Sequence, residues 1–190
     1  TGNRLQRAEK LTVGLADEQV RWAASVETLG LQIDRLVGDI FISAACISYY
    51  GPFTGTYRTQ MVSEWIDGCV ERKIPITQGS SMENTLGDPM QIRQWQIDGL
   101  PKDEVSTNNA IMVTRGKSWP LMIDPQEQAK KWIKTTEASH QLGVTRMNDI
   151  NLLRVLEQCI RMGRPLLIED ISETLDPALE STLQKATFKQ

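Results

Sequence analysis

Basic runs, histidines and paired cysteines are all scarce in this 190-residue sequence, and each scarcity removes a class of function. The formal net charge is −3 and no run of Lys and Arg stands out. The basic surface that phosphate-backbone binding needs is therefore missing, and no nucleic-acid partner is expected. His140 is the only histidine, while Cys46, Cys69 and Cys159 lie far apart with no CxxC spacing. A zinc site lacks ligands and a cysteine nucleophile lacks a base, so no metal site is expected. Three reduced, mostly buried thiols of a cytosolic protein are the expectation. No apolar run approaches the roughly 20 residues that cross a bilayer, and no secretory signal pattern is present, so no membrane partner is expected.

What is present is ordinary globular composition, 40% apolar and 24% charged, in a length that suits about one domain. The sequence opens on Thr1 and is helical in pattern by Leu5, so it reads as a segment of something longer. With Leu5 at position a of a heptad, Val26 and Ile33 also fall at a, and Ala8, Leu15, Trp22, Leu29 and Leu36 fall at d. Thr12 and Gln19 are the polar a positions. Arg4, Arg7, Glu9, Lys10, Asp17, Glu18, Arg21 and Glu27 lie off the seam. This pattern predicts one helix of a coiled coil; an amphipathic surface helix has the same spacing. Gly14 and Gly30 each cost about 1 kcal/mol of helix propensity relative to Ala, so the helix needs tertiary support.

Gly38 is expected to interrupt this helix, with Asp39 capping a second one, Ile40 to Tyr50, that is apolar nearly all round and hence buried. Gly51-Pro52 stops it. Thr56 is expected to cap a helix to about Arg72 that buries Tyr57, Met61, Trp65, Ile66 and Val70 and leaves Arg58, Glu64 and Asp67 wet. Ser81 suits an N-cap ahead of Met82 to Leu86. Ile92 to Ile97 is amphipathic around Trp95, and Ser106-Thr107 would cap a helix from Asn108 to about Thr114. The five tryptophans predict core and interface anchors, since basic residues are not interleaved with them as base stacking requires.

From Trp119 the pattern turns to strands at Pro120–Ile123, Val144–Met147 and Pro165–Ile168. Helices are expected over Gln126–Thr135, over Asn151–Arg161 with Leu152, Leu153, Leu156, Cys159 and Ile160 buried, and over Ala178–Lys185. Strands alternating with helices predict an α/β fold: an N-terminal coiled-coil helix, further helices, and a partial parallel P-loop NTPase-like sheet with helices on both faces.

That order places a phosphate loop at Asp124-Pro125-Gln126-Glu127-Gln128-Ala129-Lys130-Lys131, to be set against GxxxxGK[ST]. Lys130 stands where the phosphate-reaching lysine belongs. Asp124 and Ala129 replace the two glycines, and Lys131 replaces the hydroxyl that holds magnesium. Glycines let amide groups converge on phosphate in conformations other residues disfavour. Asp124 and Glu127 bring negative charge to a helix N-terminus that should attract anions, and protonated Lys131 has no lone pair for Mg²⁺. The acidic strand end reads Glu169 then Asp170, the reverse of the order an ATPase uses. The expectation is a degenerate site with no catalytic residue and with nucleotide binding absent or very weak.

Five stretches carry a family resemblance: LADEQVRW (Leu15 to Trp22), GDIFISAACISYYGPF (Gly38 to Phe53), LGDPMQIRQWQIDGLP (Leu86 to Pro101), STNNAIMVTRGKSWPLMIDPQEQAKKWI (Ser106 to Ile133) and LDPALESTLQKATFKQ (Leu175 to Gln190). Together they resemble dynein heavy chains over essentially the whole sequence, and LGDPMQIRQW resembles the axonemal, ciliary type. The resemblance implies that residues 1–37 end the second stalk helix and that residues 38–190 begin the fifth AAA+ module, incomplete here. It implies a non-hydrolysing ring segment that carries conformational change between an ATPase ring and a microtubule-binding stalk tip, in the cytoskeleton of the ciliary or flagellar axoneme. No cofactor is implied in this segment; ATP and Mg belong to other modules of the parent chain. The implied partners are the first stalk helix, neighbouring AAA+ modules, the microtubule, and dynein intermediate and light chains. Two alternatives are an active P-loop NTPase domain, and a coiled-coil adaptor with an α/β docking platform.

Overall fold

A single helix of 48 residues, α1 (Gly2–Tyr49), runs through Gly38 without a break. The computed structural model describes residues 2–186, with the backbone alone over 2–13. The chain divides into two units, Thr1–Thr85 and Leu86–Gln190.

In the first unit the expected interruption at Gly38 does not occur. The missing side chain serves close approach instead: a Cβ there would lie 2.4 Å from the Pro75 carbonyl oxygen and 2.9 Å from Ile76 Cβ. The Gly38 N–H donates to that Pro75 oxygen at 3.2 Å. Asp39 caps nothing. Its carboxylate accepts from the Thr77 amide at 2.9 Å and from the Thr77 hydroxyl at 2.6 Å. Burial pushes the Asp39 carboxyl up, but the Thr77 and Ser80 groups and Arg35 outweigh it and hold the group below its ordinary value.

The predicted seam is solvent-exposed in this chain at Leu15, Trp22, Val26, Leu29, Ile33 and Leu36. Leu5 and Ala8 lie outside the described side chains. Among the described residues burial begins at Gly38 and continues at Ile42, Ser43, Cys46 and Tyr50. The expected all-round burial of residues 40–50 is thus one-sided, since Ile40, Phe41 and Tyr49 are exposed.

Helix α2 (Gly55–Glu71) starts one residue before the expected cap at Thr56, with Thr54 at the N-cap. It meets α1 at Trp65, whose ring lies 6.2 Å from that of Tyr49, and buries Cys69. Tyr57 and Val70, expected inside, are exposed. Arg58, expected to be wet, is buried: its Nε donates to the Phe53 carbonyl at 2.8 Å and its guanidinium lies 5.0 Å from the Tyr50 ring centroid. A cation on an aromatic face needs little water, which is how this charge comes to lie inside. Helix α3 (Met82–Leu86) follows, capped as expected by the Ser81 hydroxyl, which accepts from the Asn84 amide.

In the second unit α4 (Pro89–Ile97) is capped by Asp88, and α5 (Glu104–Arg115) by Asp103. The α5 cap therefore lies three residues before the expected Ser106. The Asp103 carboxylate takes both the amide and the hydroxyl of Ser106, at 2.8 and 2.7 Å, a stronger acceptor than either serine or threonine offers. Helix α6 (Gln128–Thr136), strand β1 (Gly143–Arg146), helix α7 (Leu152–Met162), strand β2 (Leu166–Glu169) and helix α8 (Glu180–Leu183) complete the order. The strands pair in parallel with Gly143 opposite Leu166 and Arg146 opposite Glu169. This is the expected α/β class, with α7 as the crossover. Gly143 lets β1 meet that helix, because a Cβ would lie 2.7 Å from Cys159 Sγ.

Among the described residues the sheet has only these two strands. Residues 120–123, expected as a third, are irregular, with Leu121 and Ile123 exposed. A strand exists only through ladder hydrogen bonds, and no described strand lies beside this segment. On α7, Leu152 and Cys159 are buried, whereas Leu153 and Ile160 face solvent. The left-handed Gly163, at φ 63°, ends the helix as expected. All three cysteines are free and buried. No described helix is long and apolar enough to cross a membrane.

Candidate nucleotide site

The geometry at the start of α6 follows from one carboxylate. An α-helix begins with amide groups that have no partner in the helix, and these are what a phosphate loop presents to its ligand. Here Asp124 takes two of them: its Oδ1 accepts from the Gln128 amide at 3.0 Å and its Oδ2 from the Lys130 amide at 2.9 Å. The Asp124 carbonyl also accepts from the Glu127 amide at 3.2 Å, closing the turn. Without a glycine between Asp124 and Lys131, the left-handed residue of this turn is Glu127 at φ 55°. That conformation costs a non-glycine residue about 1–2 kcal/mol.

Behind the loop, Trp132 is 2% exposed and meets Trp95 edge to face, with ring centroids 5.9 Å apart. This contact seats α6 on α4. The Thr136 hydroxyl adds a bond to the Asp98 carboxylate at 3.3 Å.

Two of the predicted groups do meet. Lys130 Nζ lies 2.9 Å from Glu127 Oε1 and 3.5 Å from Glu169 Oε2. Lys134 Nζ, one turn further along α6, lies 2.6 Å from Glu169 Oε1. Hydrogen bonding to Lys134, with help from Lys130, holds the Glu169 carboxyl below its ordinary value against a smaller opposing effect of burial. Contact with Glu127 chiefly, and with Glu169, holds Lys130 above its ordinary value. Asp170 stands apart at a left-handed φ of 56°, with its carboxylate 3.4 Å from Arg146 Nε. Lys131, Pro125 and Gln126 are exposed, and Ala129 is half-buried. A surface hollow of about 480 Å³ beside the loop is lined by Gln126, Glu127, Lys130, Lys131, Lys134 and Thr135, none of them aromatic.

Sequence reasoning missed Lys134 and the bonding of Asp124. The i, i+4 spacing of Lys130 and Lys134 carried the first signal. For the second, Asp124 stands four residues before Gln128 at a helix start.

Residues 93–190 match the family described as "ATP-binding dynein motor region", and residues 1–68 match "Microtubule-binding stalk of dynein motor". The chain belongs to the dynein heavy-chain family. It is 50% identical over 188 residues to dynein axonemal heavy chain 6 of Homo sapiens, a match covering 99% of this chain and 4% of that protein. Dynein axonemal heavy chain 3 of Mus musculus is 46% identical over 187 residues, covering 98% of this chain and 5% of the relative. The Dynein-1-beta heavy chain of the flagellar inner arm I1 complex of Chlamydomonas reinhardtii is 42% identical over 189 residues, again covering 98% of this chain and 4% of the relative. The chain thus spans about one-twentieth or less of these dynein heavy chains. The boundary between its two units, at Thr85 and Leu86, falls in the gap between the stalk match and the motor-region match.

Proposed function

We propose that this chain is a non-hydrolysing segment of an axonemal microtubule motor, which anchors the second stalk helix and passes conformational change between an ATPase ring and the stalk tip. In this reading residues 1–37 are the stalk part of α1, a helix that itself runs on to Tyr49, and residues 38–190 begin the fifth AAA+ module. One observation carries the non-hydrolysing part: the Asp124 carboxylate already accepts from the Gln128 and Lys130 amides that a phosphate would need. A nucleotide would have to displace a covalently tethered anion and then face the charge of Glu127. The lysine and the acid that would otherwise serve phosphate and metal instead neutralise each other, with Lys134 as a third member. The residues present therefore do not fit ATP and Mg²⁺, and this reading leaves those cofactors to other modules of the parent chain.

The exposed seam from Leu15 to Leu36 supports a partner helix on α1, which we take to be the first stalk helix. Gln19 within that seam, and Thr12 in the heptad before it, are polar a positions that in this reading keep its register changeable. Neighbouring AAA+ modules, the microtubule, and intermediate and light chains are the remaining partners in this reading, and the axoneme of a cilium or flagellum is its place. The test is Lys130→Ala in the intact heavy chain. ATP turnover and its nucleotide affinity are expected to stay unchanged; a tenfold or greater loss would put this lysine on a phosphate and overturn the proposal.

A further inference from the structure

We infer that Gly38 and Asp39 lock the register of α1 against the segment Pro75–Thr77, so that movement of the free part of the helix is delivered there and not dissipated by slippage. The inference rests on the stalk reading above. Residues 14–37 of α1 face solvent apart from the half-buried Glu18, and Gly38 is the first buried position of the described side chains. The change from free to held therefore falls on one residue. Those exposed residues form a lever of about 36 Å at 1.5 Å per residue.

Three contacts converge at that point from a segment nearly 40 positions away: the Gly38 amide on the Pro75 carbonyl, and the two Thr77 donors on the Asp39 carboxylate. Together they resist two different motions. Moving α1 along its own screw by one residue would bring the Cβ of Val37 or Asp39 to the place where a Cβ on Gly38 would lie 2.4 Å from the Pro75 oxygen. Rotating it would swing the Asp39 carboxylate away from both donors, at the cost of two charge-assisted bonds. A purely apolar contact would give neither restraint, because aliphatic surfaces can shift by a residue and repack.

The test is made in the intact heavy chain with Asp39→Asn, Thr77→Val and Thr77→Ser. Amide hydrogen exchange at Thr77, the melting temperature and the ratio of microtubule affinities with and without nucleotide are measured together. Exchange at Thr77 is expected to rise about tenfold in Asp39→Asn, with the affinity ratio falling severalfold at a melting temperature close to that of the parent. Thr77→Val should move both readouts in the same direction, and Thr77→Ser, which keeps the hydroxyl, should restore them. Unchanged exchange in Asp39→Asn overturns the lock, and so does faster exchange with an unchanged affinity ratio. Trp22→Ala on the exposed seam separates the two levels. If it also leaves the ratio unchanged, the stalk reading fails; if it alters the ratio while Asp39→Asn does not, the lock alone fails.

Discussion

Replacing Gly38 with alanine should destabilise the first unit, although alanine is the better helix former. In an open helix position Gly→Ala gains about 1 kcal/mol from backbone entropy. Gly14 and Gly30 are such positions, with nothing within 4 Å of an added Cβ. At Gly38 the added carbon meets a backbone oxygen at 2.4 Å and a Cβ at 2.9 Å, neither of which is the free end of a flexible side chain. Forcing an extra methyl into a packed contact costs about 1–3 kcal/mol. Pushing Pro75 away also weakens the 3.2 Å bond from the Gly38 amide, a further 0.5–1.5 kcal/mol or about that. Against the helix gain, the net expectation is a loss of about 0.5–3.5 kcal/mol, while Gly14→Ala and Gly30→Ala stabilise by up to about 1 kcal/mol. Urea unfolding of the chain at low micromolar concentration, followed by helical circular dichroism and by tryptophan fluorescence, measures all three. If Gly38→Ala were stabilising to the same degree as Gly30→Ala, the close approach of Pro75 and Ile76 would be wrong.

Three further expectations concern mainly the second unit. Asp124→Ala strips two amide bonds from the start of α6 and should cost about 0.5–2 kcal/mol by urea unfolding; no loss would mean the carboxylate does not cap the helix. Trp132→Ala removes a fully buried ring and its edge contact with Trp95; a loss of about 3–5 kcal/mol is expected in thermal melting, and less than about 1 would refute the packing. The acid limb of the stability curve should carry Asp39, Asp103 and Glu169, each held below its ordinary value, the second chiefly by the Ser106 hydroxyl. Their contribution is present above the unfolded values of about 4 and is lost as pH falls through the folded ones. Lys130 acts in the opposite direction, its contribution being lost as pH rises through a folded value held above the ordinary one. Asp103→Asn should flatten the acid limb in titrated urea melts, and an unchanged slope would refute its part.

Local signals in the sequence read correctly where one residue decides the outcome. Ser81 caps α3 and Gly163 ends α7. Three expectations failed where a distant segment decides it. Gly38 looked like a helix stop because propensity alone disfavours it, but the glycine exists for Pro75, a contact no short window contains. Arg58 looked wet because a charge is usually solvated, and only the fold brings Tyr50 and the Phe53 carbonyl to it. Pro120–Ile123 looked like a strand from composition, yet strand formation needs a neighbour that the described residues do not supply. At the candidate site the missing glycines were legible, and the carboxylate that takes their place as anion was legible only as a charge, not as a cap.

The central claim is that the Gln128 and Lys130 amides at the start of α6 are already taken. Hydrogen exchange of residues 124–131 in the intact heavy chain, with and without Mg-ATP, tests it most directly. The account predicts the same slow exchange at Gln128 and Lys130 in both states, with loss of protection in Asp124→Ala. Protection of these amides that appears only with nucleotide would contradict it.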